Sequence, residues 1–196
     1  MAGRRMTRDE RRAQLVDVAL EIVRVEGASA LSLVRLAERA GVSRPVVYEH
    51  FGTRERLLLT LFRAYDVGLG ERIRAALAEA GDGVEAAAGA LSAAYVDGFV
   101  AAGVECDEIA AALAANKETR DFMRESRNFY LREFRAALAP RVVPPGELDE
   151  ALLAGLLGAL EALGREAAEG RIARGAAVTA GTDVLVGALR RVTPKG

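Results

Sequence analysis

Two short helical patterns flank a three-residue break between Ser32 and Leu58, and that spacing limits the possible folds more than any other stretch of the chain. Leu36, Ala37 and Ala40 form an apolar stripe at helical spacing. Gly41-Val42-Ser43 then interrupts the pattern, with glycine supplying backbone freedom that other residues lack. Ser43 is placed to cap a second helix. Pro45 suits the first turn of that helix, where its missing N–H has no partner to lose, and Val47 and Phe51 point inward. Arg44, Val46, Tyr48 and His50 are left facing out. A helix-turn-helix with a polar outer face has the shape that enters the major groove of DNA, and the Arg44 guanidinium can bond both acceptors of a guanine there.

Charge along the chain supports this placement. The net charge of −1 argues nothing by itself, but residues 1–63 carry 12 arginines against 8 acids, whereas residues 64–196 carry 15 basic residues against 20 acids. A positive head on a negative body suits phosphate contacts made at one end only. At 196 residues the chain can bury a core without disulfides or metals, and its one cysteine, Cys106, permits no internal disulfide. The start, Met1 to Arg8, lacks the apolar stretch of a signal peptide, and no run approaches ~20 uninterrupted apolar residues. The expectation is a cytoplasmic protein with no membrane partner.

Helical signals run almost end to end, and the alternation of strands is missing, so the chain reads as all-α with about nine helices. The first opens with the capping box Thr7-x-x-Glu10 and stops at Gly27. The next two span about 33–40 and 44–50. Thr53 caps a fourth, whose stripe Leu58, Leu61, Phe62 and Tyr65 continues to Leu77 despite Gly68 and Gly70. Asp82 and Glu85 are placed to cap a fifth that ends near Gly103. Helices at about 107–115 and 118–139 follow, and a loop with Pro140, Pro144 and Pro145 precedes the last pair, about 147–169 and 176–192.

Three motifs together carry a family resemblance: Leu36-Ala37-Glu38-Arg39-Ala40-Gly41-Val42-Ser43, Val47-Tyr48-Glu49-His50-Phe51, and Thr53-Arg54-Glu55-Arg56-Leu57. The chain resembles the TetR/AcrR transcriptional regulators. Ser32 replaces the commoner threonine and Arg54 the commoner lysine, and arginine and lysine grip phosphate differently. The resemblance implies a DNA-binding head over residues 1–66, with 1–6 as a flexible arm, and an effector-binding and dimerisation domain over 67–196. It implies that Tyr48, His50, Thr53 and Arg54 meet backbone phosphates, with Ser32 and Ser43 near the same surface. Beyond about residue 66 it rests on helix count and length and on Leu160-Glu161-Ala162-Leu163-Gly164-Arg165-Glu166.

Other features admit two readings each. Arg4, Arg5, Arg8, Arg11 and Arg12 form either a basic arm reaching phosphate or the minor groove, or a solubilising tail. Tyr95, Phe99, Phe122, Met123, Tyr130 and Phe134, with Asn116, Arg127 or Asn128 as polar anchors, suit an effector cavity, although such aromatic stripes are more often simply core. The penultimate helix, with Leu152, Gly155, Leu156, Ala159 and Leu163, is apolar on nearly all sides. With Val178, Leu185 and Leu189 of the last helix, it fits a two-fold dimer interface or an ordinary core.

An enzyme fits poorly. The single histidine, His50, sits inside the DNA-reading motif, and Cys106 lies among acids that disfavour a thiolate. Neither a phosphate-binding glycine loop nor a cluster of metal ligands is present, so no cofactor or metal is expected. The resulting expectation is a ligand-released repressor that binds a palindromic DNA operator as a homodimer and answers to a small-molecule effector. The alternatives are a binding or assembly module whose head reads no DNA sequence, and an activator of the same family.

Overall fold

The computed structural model describes residues 6–141 and 148–192. Arg4, Arg5, Pro144 and Pro145 lie outside those residues. Among the described residues the regular structure is all helical: α1 (Arg8–Glu26), α2 (Leu33–Ala40), α3 (Arg44–Phe51), α4 (Arg54–Glu79), α5 (Val84–Ala102), α6 (Val104–Ala115), α7 (Arg120–Leu138), α8 (Glu150–Ala168) and α9 (Arg174–Val192), with single 3-10 turns at Ala28–Ala30 and Ala139–Arg141. This is the all-α, nine-helix architecture expected from the sequence.

Helix ends follow local chemistry. At the start of α1 the Glu10 N–H donates to Thr7 Oγ1 while the Thr7 N–H donates to Glu10 Oε2, a complete capping box. A cap of this kind contributes about 1 kcal/mol. Ser32 caps α2 through the Arg35 N–H, Thr53 caps α4 through the Arg56 N–H, and Asp149 caps α8 through the Leu152 N–H. Two expected caps differ. Ser43 occupies the cap position of α3 without bonding through its side chain, and α5 is capped at Gly83, with no side-chain bond, instead of by Asp82 and Glu85. Gly41 takes a left-handed φ of 66° in the turn between α2 and α3, with open space where a Cβ would stand, so conformation and not crowding requires glycine there.

The described residues fall into two compact units. The first comprises Met1–Ala64 together with Glu105–Asp121, and the second comprises Tyr65–Val104 together with Phe122–Gly196. A border near residue 66 was expected, but the return of α6 to the first unit was not. Within that unit Leu15, Ile22, Leu36, Val47, Leu57 and Leu61 are fully buried, and Ile109 and Leu113 of α6 are buried with them.

In the second unit α5 packs on α8 and α9, and α8 packs on α9. Absent side chains set the spacing. A Cβ at Gly98 would meet Leu69 at 2.6 Å, one at Gly164 would meet the Phe99 ring at 2.8 Å, and one at Gly181 would meet Leu160 at 2.6 Å. α5 is long and apolar enough to cross a membrane by composition, but Ala87, Ala88, Leu91, Tyr95 and Val96 are buried in the protein core, which accounts for that composition.

A candidate nucleic-acid interface on the first unit

The outer face of α3 is held rigidly from behind. Val47 and Phe51 are 0% and 3% exposed, so the helix cannot rotate without exposing them. Arg12 of α1 braces its end: Nη1 donates to the His50 carbonyl at 2.8 Å, Nη2 donates to Thr60 Oγ1 at 3.2 Å, and the guanidinium lies 5.0 Å over the Phe51 ring. Outward, Ser43, Arg44 and Tyr48 are exposed, while Val46 and His50 are half-buried. Tyr48 is 49% exposed, which removes a core-packing role for most of its ring. With no side-chain bond from Ser43 to its own helix, that hydroxyl is available to an outside partner.

Several other residues named from the sequence are already engaged. Ser32 Oγ and Thr53 Oγ1 each accept a backbone N–H as caps. Arg54, expected at a phosphate, donates Nε to the Leu31 carbonyl at 2.6 Å and Nη2 to the Ala28 carbonyl at 2.7 Å. The planar fork meets the two carbonyls from two separate nitrogens, which a lysine does not have, so the departure from lysine has a structural consequence. Arg8, Arg11 and Arg12 are not a tail, because all three lie within α1. Arg11 bonds Gln14, and Arg12 forms the brace described above.

The turn at Ala28–Ala30 is also held from α6. Glu108 Oε2 accepts the Ala28 N–H at 2.6 Å, and Glu105 pairs with Arg24 at 3.0 Å. Glu26 accepts both Nε and Nη2 of Arg35 at 3.0 and 2.8 Å, joining the end of α1 to α2, and these hydrogen bonds hold the Glu26 carboxyl below the usual range. None of these ties was anticipated. Periodicity marks which face of a helix is buried, but it carries no information on which distant carboxylate meets which turn.

In the second unit the aromatic candidates sort into groups. Tyr95 stands edge-on to Tyr130 and Phe134, with centroids 5.9 and 5.4 Å apart, and stacks with Phe99 at 6.4 Å. Tyr95 and Phe134 are 1% and 0% exposed, the core reading of the stripe, and burial pushes the Tyr95 hydroxyl well above the usual phenol range. Tyr130 donates to Asp66, which also accepts the Ser126 hydroxyl at 2.6 Å. Arg127 is paired with Glu161 at 3.0 Å, Asn128 is exposed, and Phe122 and Met123 are half-buried. Asn116 is not among this group: it falls in the first unit, where Oδ1 accepts the Glu118 N–H at 2.8 Å.

The interface candidates divide in the same way. Leu156, Leu185 and Leu189 are 3%, 0% and 1% exposed and belong to the protomer's own core, because α8 and α9 turn their largest residues toward α5. Leu152 and Leu163 pack partly against that core, and Val178 is half-buried. The open face is made of small residues instead: Gly155 is exposed, Ala159 is half-buried, and nothing lies within 4 Å of a Cβ built at Gly155, Gly158, Gly175 or Gly187.

Known proteins resemble the chain in two ways. The sequence model of the bacterial regulatory proteins of the tetR family matches residues 15–61. The HTH-type transcriptional activator FasR of Mycolicibacterium smegmatis is 40% identical over 75 residues, 38% of this chain and 34% of FasR. The chain matches about a third or less of the length of its curated relatives. Over nearly the whole chain the fold is that of a TetR-like transcriptional regulator from Rhodococcus sp. RHA1, with TM-score 0.77, 20% identity and coverage of 95% and 99% of the two chains. It is also that of the fatty acid degradation regulator FadR from Bacillus halodurans, with TM-score 0.73, 22% identity and coverage of 95% and 98%.

Proposed function

We propose that this chain, which belongs with the TetR/AcrR family by the sequence of its head and by its fold, is a sequence-specific DNA-binding regulator that acts as a homodimer and is released from its operator by a small-molecule effector. One observation carries the reading. Arg44, Tyr48 and Ser43 project from a helix pinned by Val47, Phe51 and Arg12, and the match to the tetR family spans that same segment. A preorganised helix loses little entropy on entering the major groove, where three or four side chains suffice to read a half-site. Arg44 is the base reader, while Tyr48 and His50 grip phosphate. Arg54 acts one step removed, through the turn it bonds.

The open stripes of the last two helices support self-association. Ala151, Gly155, Gly158 and Ala162 on α8, and Ala176, Ala180, Asp183 and Gly187 on α9, each recur at intervals of four, three and four residues, which is one helix face. A second copy covering both stripes would bring two reading helices into a two-fold pair. Such a pair engages DNA only at a spacing of about 34–36 Å per helical turn or a multiple of it. An effector that prefers the unpaired spacing by ~100-fold would shift the equilibrium by about 2.7 kcal/mol per site.

A second reading, an activator using the same head, is favoured by the likeness to FasR, which is named as an activator. Fluorescence anisotropy with DNA from the protein's own upstream region, beside a scrambled duplex at two salt concentrations, tests the shared core of both readings. A native-sequence preference of ~10³-fold or more is the expected result. Equal, weak binding to both duplexes, followed by failure to select any sequence from genomic fragments, would sink it. Transcription from the selected promoter with and without the protein then separates repressor from activator.

A further inference from the structure

Beside the reading helix, α1, the end of α3 and α4 enclose an open cleft of about 480 Å³ lined by Arg12, Tyr48, His50, Arg56, Thr60 and Arg63, with Glu49 as its one carboxylate. Two of its cations have no counter-charge among the described residues. Arg12 is half-buried, yet its bonds go to a carbonyl and a hydroxyl, and no described carboxylate pairs with it. Of its five N–H donors two are used, leaving three for a ligand. Arg56 is exposed, and its guanidinium bonds no described residue. Thr60 Oγ1, which accepts from Arg12, donates in turn to the Arg56 carbonyl at 2.8 Å, so Arg12 is tied to the turn of α4 that carries Arg56.

A half-buried guanidinium without an anion costs free energy that a bound anion recovers, and arginine favours the two-oxygen edge of phosphate. We infer that this cleft is a phosphate site, with Arg12 as its braced cation and Arg56 as its exposed one, and that it holds a backbone phosphate of duplex DNA outside the bases read by α3. The inference rests on the DNA-binding reading above; it adds Arg56, which neither the base-reading face nor the named phosphate contacts include, and it gives Arg12, read from the sequence as part of a basic arm or a tail, a defined place at phosphate. Tyr48 and His50 join the two regions, because they belong to α3 and also line the cleft.

Replacing Arg12 would also remove the brace on α3, so the deciding variant is Arg56→Gln on the full-length protein. Arg135→Gln on α7, an exposed arginine outside the cleft, serves as the charge-matched control. Anisotropy titrations of a mixed-sequence duplex across a salt series read the number of phosphates engaged. The slope of log K against log salt is expected to become shallower by ~0.9 in Arg56→Gln and to stay at the wild-type value in Arg135→Gln. Wild-type binding with equal slopes in both variants would overturn the phosphate site and leave the DNA reading intact. Failure of wild type to bind any duplex would overturn both. Thermal unfolding with added inorganic pyrophosphate identifies the source: a rise in Tm seen in wild type and lost in Arg56→Gln, with equal DNA slopes, would reassign the cleft to a soluble phosphate and overturn DNA as its occupant.

Discussion

Glu108 and Arg54 hold opposite ends of one residue: the Glu108 carboxylate accepts the Ala28 N–H at 2.6 Å, and the Arg54 guanidinium donates to the Ala28 carbonyl at 2.7 Å. One comes from α6 and the other from the start of α4, and both belong to the first unit. The turn they grip follows Gly27, whose φ of 83° leaves α1 in a backbone region that L side chains rarely adopt, and a Cβ there would stand 3.4 Å from the same Glu108 oxygen. The link between α1 and α2 is therefore held by chemistry supplied from far along the chain.

Removing either grip should weaken the first unit. A hydrogen bond to a charged group contributes ~1.5–3 kcal/mol when shielded, so Glu108→Ala on this exposed side chain should cost about 1–2 kcal/mol, and Glu108→Gln, which keeps an acceptor oxygen, less than that. Arg54→Lys should cost about 1 kcal/mol, because a single ammonium nitrogen replaces the two guanidinium nitrogens that meet the Leu31 and Ala28 carbonyls. Urea unfolding followed by circular dichroism measures both. A Glu108→Ala midpoint equal to wild type would show that the contact contributes nothing.

Arg44→Ala should weaken operator binding by roughly 1–3 kcal/mol and relax preference at a single base position. Selection of binding sites with the variant reads this directly. An unchanged base profile would remove Arg44 from base recognition and leave it at most a phosphate contact.

Glycines in the last helices should respond in opposite ways. Gly164→Ala forces a methyl into the Phe99 ring and should destabilise the second unit by about 1–3 kcal/mol, less the ~1 kcal/mol gained in helix propensity. A Cβ at Gly155 meets nothing within 4 Å and the residue is exposed, so the expected effect of Gly155→Leu is on self-association, seen as a raised dimer dissociation constant in sedimentation. A Gly155→Leu protein that dimerises as wild type would move the interface away from the α8 stripe.

Acid should loosen α9 from α5. Asp97 accepts Nε and Nη2 of Arg174 at 2.5 and 2.6 Å, and these bonds lower its carboxyl below the usual range. A depressed folded-state value means that the stabilisation is fully present above the unfolded carboxyl pKa of about 3.9 and is lost as pH falls through the lower folded value. Wild type should therefore lose more stability than Asp97→Asn between about pH 4 and pH 2, as read by urea midpoints at each pH. Parallel curves would show that the pair is not coupled to folding.

The helices, the turn at Gly41 and the outward face of α3 were all legible because each follows from spacing within a few residues. Arg44, Tyr48 and Ser43 stand where the pattern puts them. What periodicity does not carry is the identity of partners far apart in sequence. Arg12 reads as part of a basic arm or tail until Phe51 and Thr60 are seen beneath it, and nothing in the spacing around Arg54 shows that two carbonyls lie within its reach. Leu185 and Leu189 share a helix with exposed small residues, and only the packing of α9 on α5 shows which side is inward.

The membership of α6 in the first unit bears on how such proteins can be recombined. A chimera that takes its head from one parent by a splice within α4 leaves that parent's α6 behind, and with it Glu108, Glu105, Ile109 and Leu113. The grafted head then meets a foreign helix at the Ala28 turn, with an unfilled donor and two missing core side chains unless the new parent happens to match. A head transplant therefore requires three junctions, near residues 64, 104 and 121, with residues 105–121 carried along as part of the graft.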